Sequence, residues 1–185
     1  MKKRFKKHRD KNFKKREYEQ NVIEIARISR VVAGGRRMRF RACMVIGDMK
    51  GKIGLGVKKG ADVATAINKA VNAAKKEMIK VKTIDETIPH EMRVKYKSAK
   101  VLIKPAPKGT GIIAGGAVRA ALELTGIKNI VAKMIGSKNK INNVKALIKA
   151  LKELKEPRKE KNTKKKEKES KKESPEKNDK DRIKK

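Results

Sequence analysis

The chain has 185 residues, of which 40% are charged, and a formal net charge of +34. That length allows one domain of ordinary size or two small ones. The charge predicts a polyanionic partner, a nucleic acid or an anionic membrane surface, without specifying a fold. No run of about 18 apolar residues is present, which excludes a membrane-spanning helix, and the start, MKKRFKKHRDKNFKKR, lacks the apolar stretch of a signal peptide.

Residues 1–20 carry ten basic and three acidic side chains. Without apolar periodicity they read as a disordered basic arm. Asn21 to Val32 is β-branched and extended. Ala33-Gly34-Gly35 is a turn, since glycine tolerates positive φ. From Arg37 to Ile46 the chain alternates: Met38, Phe40, Ala42, Met44 and Ile46 on one face, Arg37, Arg39, Arg41, Cys43 and Val45 on the other. Gly47 to Gly51 reads as a hairpin loop and Lys52 to Val57 as a short strand. Asp62 is placed to cap a helix running from Val63 to about Val81, with Val63, Ala66, Ile67, Ala70, Val71, Ala74 and Met78 as its buried stripe. Three antiparallel strands under one helix make a two-layer α+β unit over 21–82.

The second unit, 84–154, reads β-β-α-β-α. Thr87 to Tyr96 is extended, Ala99 to Lys104 is a strand, and Gly116 to Leu124 is a helix stopped by Thr125-Gly126. Asn129 to Ile135 is a strand. Asn139 caps a final helix, Ile141 to Leu154, whose Ile141, Val144, Leu147, Ile148, Leu151 and Leu154 share a face. Each half is small enough that the two are expected to pack together. Residues 155–185 are low-complexity lysine and glutamate, expected to be a disordered tail. The middle, 21–154, holds twenty-nine basic and nine acidic residues, so the globular part is itself cationic.

Catalytic chemistry finds little material. His8 and His90 are isolated, Cys43 has no metal-ligand partner at suitable spacing, and one cysteine rules out an internal disulfide and fits a reducing compartment. No carboxylate pair suits acid–base work. Gly109-x-Gly111-x-x-Ala114 formally matches a dinucleotide fingerprint, but the following strand, NIVAKMIG, ends without the acidic residue that would hold the ribose. The glycines of Pro105 to Ala121 read better as permitting close backbone packing at a strand-to-helix turn. No cofactor or metal is called for, and the chain does not read as an enzyme.

The nucleic-acid signal is concentrated in RVVAGGRRMRFR, Arg30 to Arg41. Gly34 and Gly35 let a loop tip approach a backbone closely, Arg36 flanks it, and Arg37, Arg39 and Arg41 line one strand face; guanidinium groups bind phosphate as a bidentate fork. Lys50, Lys52, Lys58 and Lys59 form a second basic, glycine-bearing stretch. Aromatic residues are 3% with no tryptophan, which favours reading of phosphate, sugar and shape over base stacking.

The ordered series VVAGGR (31–36), Gly47-Asp48 with GKIGLG (51–56), GTGIIAGGAVR (109–119), then Gly136-Ser137, Asn139 and Asn142 to Val144 resembles the bacterial form of small-subunit ribosomal protein five, the universal S five family. The match runs collinearly over roughly 17–154. The resemblance implies a double-stranded-RNA-binding-like first domain and a second α/β domain. It implies binding to small-subunit rRNA, contact with neighbouring proteins four and eight, a part in translational accuracy, a position near messenger RNA at its entrance channel, and a cytoplasmic, ribosome-bound location. By motif position, Arg30 and VVAGGR look like the family's RNA loop, and Gly111 and Arg119, with Gly115 and Gly116 between them, look like its interface with protein four. Messenger contact is expected from Lys58 and Lys59 by charge.

Overall fold

The computed structural model describes residues 18–155; residues 1–17 of the expected basic arm and the lysine–glutamate tail after Lys155 lie outside them, while Glu19 and Gln20, expected in the arm, pair with Gly47 and Ile46 as the start of the first strand. The period-two alternation of the first unit yields β1 (Glu19–Val32), β2 (Gly35–Gly47) and β3 (Lys52–Gly60), followed by α1 (Val63–Lys76) and β4 (Ile79–Lys80). The four strands form one antiparallel sheet in the order β1-β2-β3-β4.

The expected three strands become four because the helix stops early. Ile79, Lys80 and Val81 alternate apolar, polar, apolar, with Ile79 and Val81 on the cluster shared by both units, and a strand replaces the last turns of the expected helix. Ile79 and Lys80 pair with Ile53 and Lys52, and the Val81 N–H donates to the Gly51 carbonyl at 2.7 Å. Met78, expected within the helix, still packs on the same cluster as Ala66, Ala70, Val71 and Ala74.

Asp62 starts α1 as expected. Its carboxylate accepts from the Ala64 N–H at 3.3 Å, and its own N–H donates to the Thr65 hydroxyl at 3.3 Å, satisfying helix-end groups that would otherwise go unpaired. The helix lies almost against the β3 backbone. A β-carbon on Gly56 would sit 1.9 Å from the Ala70 carbonyl oxygen, and one on Gly54 would sit 2.4 Å from that of Ala74.

The second unit comprises β5 (Met92–Tyr96), β6 (Ala99–Pro105), β7 (Ile112–Ile113), α2 (Gly116–Glu123), β8 (Ile130–Ile135) and α3 (Lys140–Glu153). Its sheet order is β5-β6-β8-β7, with β7 parallel to β8 and the other pairs antiparallel. β7 falls inside the glycine-rich segment, where the sequence reads as a turn. Asn139 caps α3, its side-chain oxygen accepting from the N–H groups of Ile141 and Asn142.

The layers run α1, first sheet, α2 with α3, second sheet. Ala42, Met44 and Ile46 face α1. Cys43, Val45, Ile53 and Leu55 join Val101, Ile103, Leu122, Leu147 and Leu151 in one apolar cluster spanning both units. The Cys43 thiol is pushed up to about 11, chiefly by burial and then by the nearby Glu24 carboxylate, against the opposing pull of Arg41 and Lys145. Since the thiolate is the reactive form, Cys43 is expected to resist alkylation by iodoacetamide at pH 8 in the native protein and to react fully in denaturant. Rapid native labelling, followed by mass spectrometry, would show that the two units separate readily.

Candidate nucleic-acid interface

β1 and β2 run on past the core as a two-stranded ribbon. They pair from Glu19 and Gly47 out to Val32 and Gly35, which leaves Ala33-Gly34 as the tip, and Gly35 takes φ of +133° there. No residue from Arg27 to Arg39 is buried, and Val31 near the tip is 72% exposed. The ribbon carries Arg27, Arg30, Arg36, Arg37, Arg39 and Arg41, and no acidic residue occurs between Glu24 and Asp48.

Residues opposite each other in an antiparallel pair share a face. Arg30 stands opposite Arg37 and Arg39 opposite Ile28, so one face presents three guanidinium groups; Arg36, opposite Val31, belongs to the other. Like charges directly opposite are destabilising, and an anion between them removes that cost. Arg41 differs from its neighbours. It lies 3.7 Å from the Glu24 carboxylate and is half-buried at the root of the ribbon. Its charge is partly answered within the protein, which separates it from the three arginines beyond.

The lysines expected to join this site are dispersed. Lys50 and Lys52 belong to the β2–β3 hairpin, at the opposite end of β2 from the arginine tip. At about 3.3 Å per residue the thirteen residues of β2 span roughly 40 Å. The hairpin itself serves the fold. The Asp48 carboxylate accepts from the N–H groups of Lys50 and Lys52, both at 2.8 Å. Burial raises its pKa, but those two bonds and the Lys52 charge outweigh it and hold the group below its usual range. The Gly51 N–H donates to the Thr125 carbonyl at 2.9 Å, docking the loop on the end of α2. Lys58 and Lys59 pair with Ala42 and Arg41 and so face opposite ways. Lys59 shares the face of Arg37, Arg39 and Arg41, while Lys58 turns toward α1.

A further basic surface escapes a reading that looks for arginine runs. The outer face of the second sheet carries Arg93, Lys95, Lys100, Lys104 and Lys133, with Lys95 directly opposite Lys100 and Arg93 beside Leu102 and Lys133. The signal lies in the alternation of RVKY and AKVLIK, whose inward positions, Val94, Ala99, Val101 and Ile103, are buried. Lys104 on this face is 3.3 Å from Glu91.

The glycine corner is already occupied by the protein's own side chain. Asn129, 4% exposed, accepts with Oδ1 from the N–H groups of both Gly109 and Gly111, each at 3.1 Å, and the Ile130 N–H donates to the Gly111 carbonyl. Two amides that a phosphate would need are thereby used. Gly109 and Gly111 take φ of +92° and +73°, so conformation explains them. Close packing, expected for all the glycines here, holds at Gly115, where a β-carbon would meet the Met134 methyl at 2.2 Å; at Gly109, Gly111 and Gly116 it would meet nothing within 4 Å. Arg119 is exposed on α2 with its Nε 3.1 Å from Glu123, and Ile113 beside the corner is 54% exposed. Replacing Asn129 by Ala strands two N–H groups at a partly buried site and is expected to cost about 2 kcal/mol in denaturant melts. An unchanged midpoint would show that the corner needs no clasp.

Among the described residues no helix is long and apolar enough to cross a membrane, and no group of three His, Cys, Asp or Glu side chains is placed to hold a metal. The comparisons agree with this architecture. The family model described as Ribosomal protein S5, N-terminal domain, matches residues 18–82, the stretch that builds β1 to β4 and α1. The model described as Ribosomal protein S5, C-terminal domain, matches residues 94–165. Proteins named small ribosomal subunit protein uS5 from Campylobacter jejuni, in strains 81-176 (serotype O:23/36), 81116 (serotype O:6) and RM1221, are each 47% identical over 139 residues, covering 75% of this chain and 95% of theirs. With both domain models matched in order and nearly the whole length of these relatives covered, the chain belongs to the ribosomal protein S5 family.

Proposed function

We propose that this protein is a structural constituent of the small ribosomal subunit, without catalysis of its own, that grips small-subunit (16S) rRNA through the arginine ribbon of β1 and β2. The observation that carries the reading is the projecting, acid-free hairpin, in which Arg30 and Arg37 stand opposite each other far from the core. Guanidinium groups on a narrow ribbon with a glycine tip suit the phosphates of folded RNA, recognised through shape and backbone. The first unit, residues 21–82, acts as a double-stranded-RNA-binding-like domain, a sheet backed on one face by α1. The second, residues 84–154, acts as an α/β domain that adds the basic outer face of its sheet.

The exposed corner formed by Gly111, Ile113, Gly115, Gly116 and Arg119 is the surface for neighbouring ribosomal proteins, with protein four there and protein eight elsewhere on the chain. A change in that contact would alter translational accuracy. Messenger RNA contact falls to Lys59, which shares the arginine face, and the protein works in the cytoplasm, bound to ribosomes. Cosedimentation of the full chain with small subunits through a high-salt wash tests the reading. Retention is expected, because a chain built into the subunit by several RNA and protein contacts at once outlasts the non-specific, purely electrostatic binding that salt removes. Release into the soluble fraction overturns it.

A further inference from the structure

The sheet of the first unit has an edge that its own short last strand does not cover. β4 pairs with Lys52 and Ile53 alone, while β3 continues to Gly60, and no described strand lies beside it past Ile53. Strand geometry tells which groups face outward. The Gly51 carbonyl accepts from Val81 on the β4 side, and main-chain direction alternates residue by residue in an antiparallel strand. Hence the N–H and C=O groups of Leu55, Val57 and Lys59 point to the open edge.

That edge lies at the bottom of a groove of about 430 Å³ between α1 and α3. Leu55, Val57, Ala73 and Ile148 give it an apolar floor, and Tyr96 closes one side with Lys145 5.7 Å above its ring. The rim is cationic: Lys58, Lys145, Lys149 and Lys152 line it, and Lys69 and Lys76 continue along α1 from Lys58. Glu77 is the acidic side chain among the lining residues, and Lys149 is 3.9 Å from Glu153 on its own helix.

We propose that this groove binds an extended acidic segment of a partner protein, which adds as a strand to the edge of β3. Open main-chain groups supply the pairing, the apolar floor receives alternate side chains, and the lysine rim selects carboxylates. An RNA strand fits these features less well. It has no donors and acceptors at strand spacing to satisfy Leu55 and Val57. The site is independent of the arginine hairpin, so either can fail without the other.

The probe is a fluorescein-labelled eight-residue peptide alternating valine and glutamate, titrated into the full chain by anisotropy. Binding is expected, with slowed amide exchange at Val57 and Lys59 by NMR. The combined K149E and K152E substitutions, both at exposed positions on the rim, are expected to weaken it about tenfold while leaving rRNA binding by the hairpin unchanged. A peptide N-methylated at alternate residues on its pairing edge keeps the charge and loses the donors, and it is expected not to bind. Equal binding of the N-methylated peptide, absence of protection at Val57 and Lys59, or displacement of the peptide by an octauridylate whose own binding depends on Lys149 and Lys152 overturns the proposal.

Discussion

Replacing Arg30, Arg36, Arg37 and Arg39 together by glutamine will reduce affinity for small-subunit rRNA by roughly several hundred-fold at about 0.15 M salt, each neutralised phosphate being worth about fivefold there through counterion release. The slope of log affinity against log salt will fall by about 3, at roughly 0.7–0.9 for each phosphate no longer neutralised. These four side chains are exposed and lie beyond the core, so the melting temperature will hold or rise slightly as the Arg30–Arg37 repulsion disappears. Replacing Lys50 and Lys52 by glutamine is the control. Those lysines stand at the far end of β2, and their removal will change the slope by less for each charge removed. Filter binding across a salt series measures both. A slope unchanged in the fourfold variant would remove the hairpin from the RNA site, whatever happened to affinity.

The hairpin was legible because its signals are local. A glycine pair, a period-two alternation and a run of arginines without acids are all contained in twelve residues, and they fix turn, strand and charge together. The same alternation holds further along, while what its face meets changes. Cys43 and Val45 continue the row of Arg37, Arg39 and Arg41 and in sequence read as one face of one strand. In the fold the row passes from solvent into the apolar cluster shared by the two units, a change set by residues more than fifty positions away. The position of Arg41 at that boundary explains why it pairs with Glu24.

The other departures have the same origin. Asn129 as a clasp for Gly109 and Gly111 depends on eighteen to twenty residues of intervening chain returning to the same place, and no local pattern announces it. The separation of Lys50 and Lys52 from the arginine tip follows from β2 running thirteen residues between them; composition sees one basic region where geometry makes two. The early stop of α1 turned on Gly51, whose carbonyl captures Val81. Family-level motifs located the chain correctly without exposing any of these interactions.

A constraint nearly as tight as the contact of α1 on β3 joins the two units, and a large stability effect is expected there. A β-carbon on Gly126 would lie 2.1 Å from the Met49 carbonyl oxygen, and Gly126 holds φ of +79°, where an alanine is strained even in open space. From the other side, a β-carbon on Gly47 would lie 2.0 Å from the Leu124 carbonyl oxygen. Both obstructions are backbone, so neither can be relieved by turning a side chain. The loop from Asp48 to Gly51 would have to lift away, breaking the bonds from Met49 to Leu124 and from Gly51 to Thr125. Overpacking and broken hydrogen bonds together are expected to cost about 3 kcal/mol for either Gly126→Ala or Gly47→Ala. Gly116→Ala, with nothing within 4 Å of the added carbon and a position at the start of α2, is expected to be neutral or slightly stabilising. Urea melts of the three variants decide the matter. If Gly47→Ala and Gly116→Ala melt alike, the β2–β3 loop is not held against α2 in solution, and native-state labelling of Cys43 should then be fast in the Gly47 variant and in the parent alike.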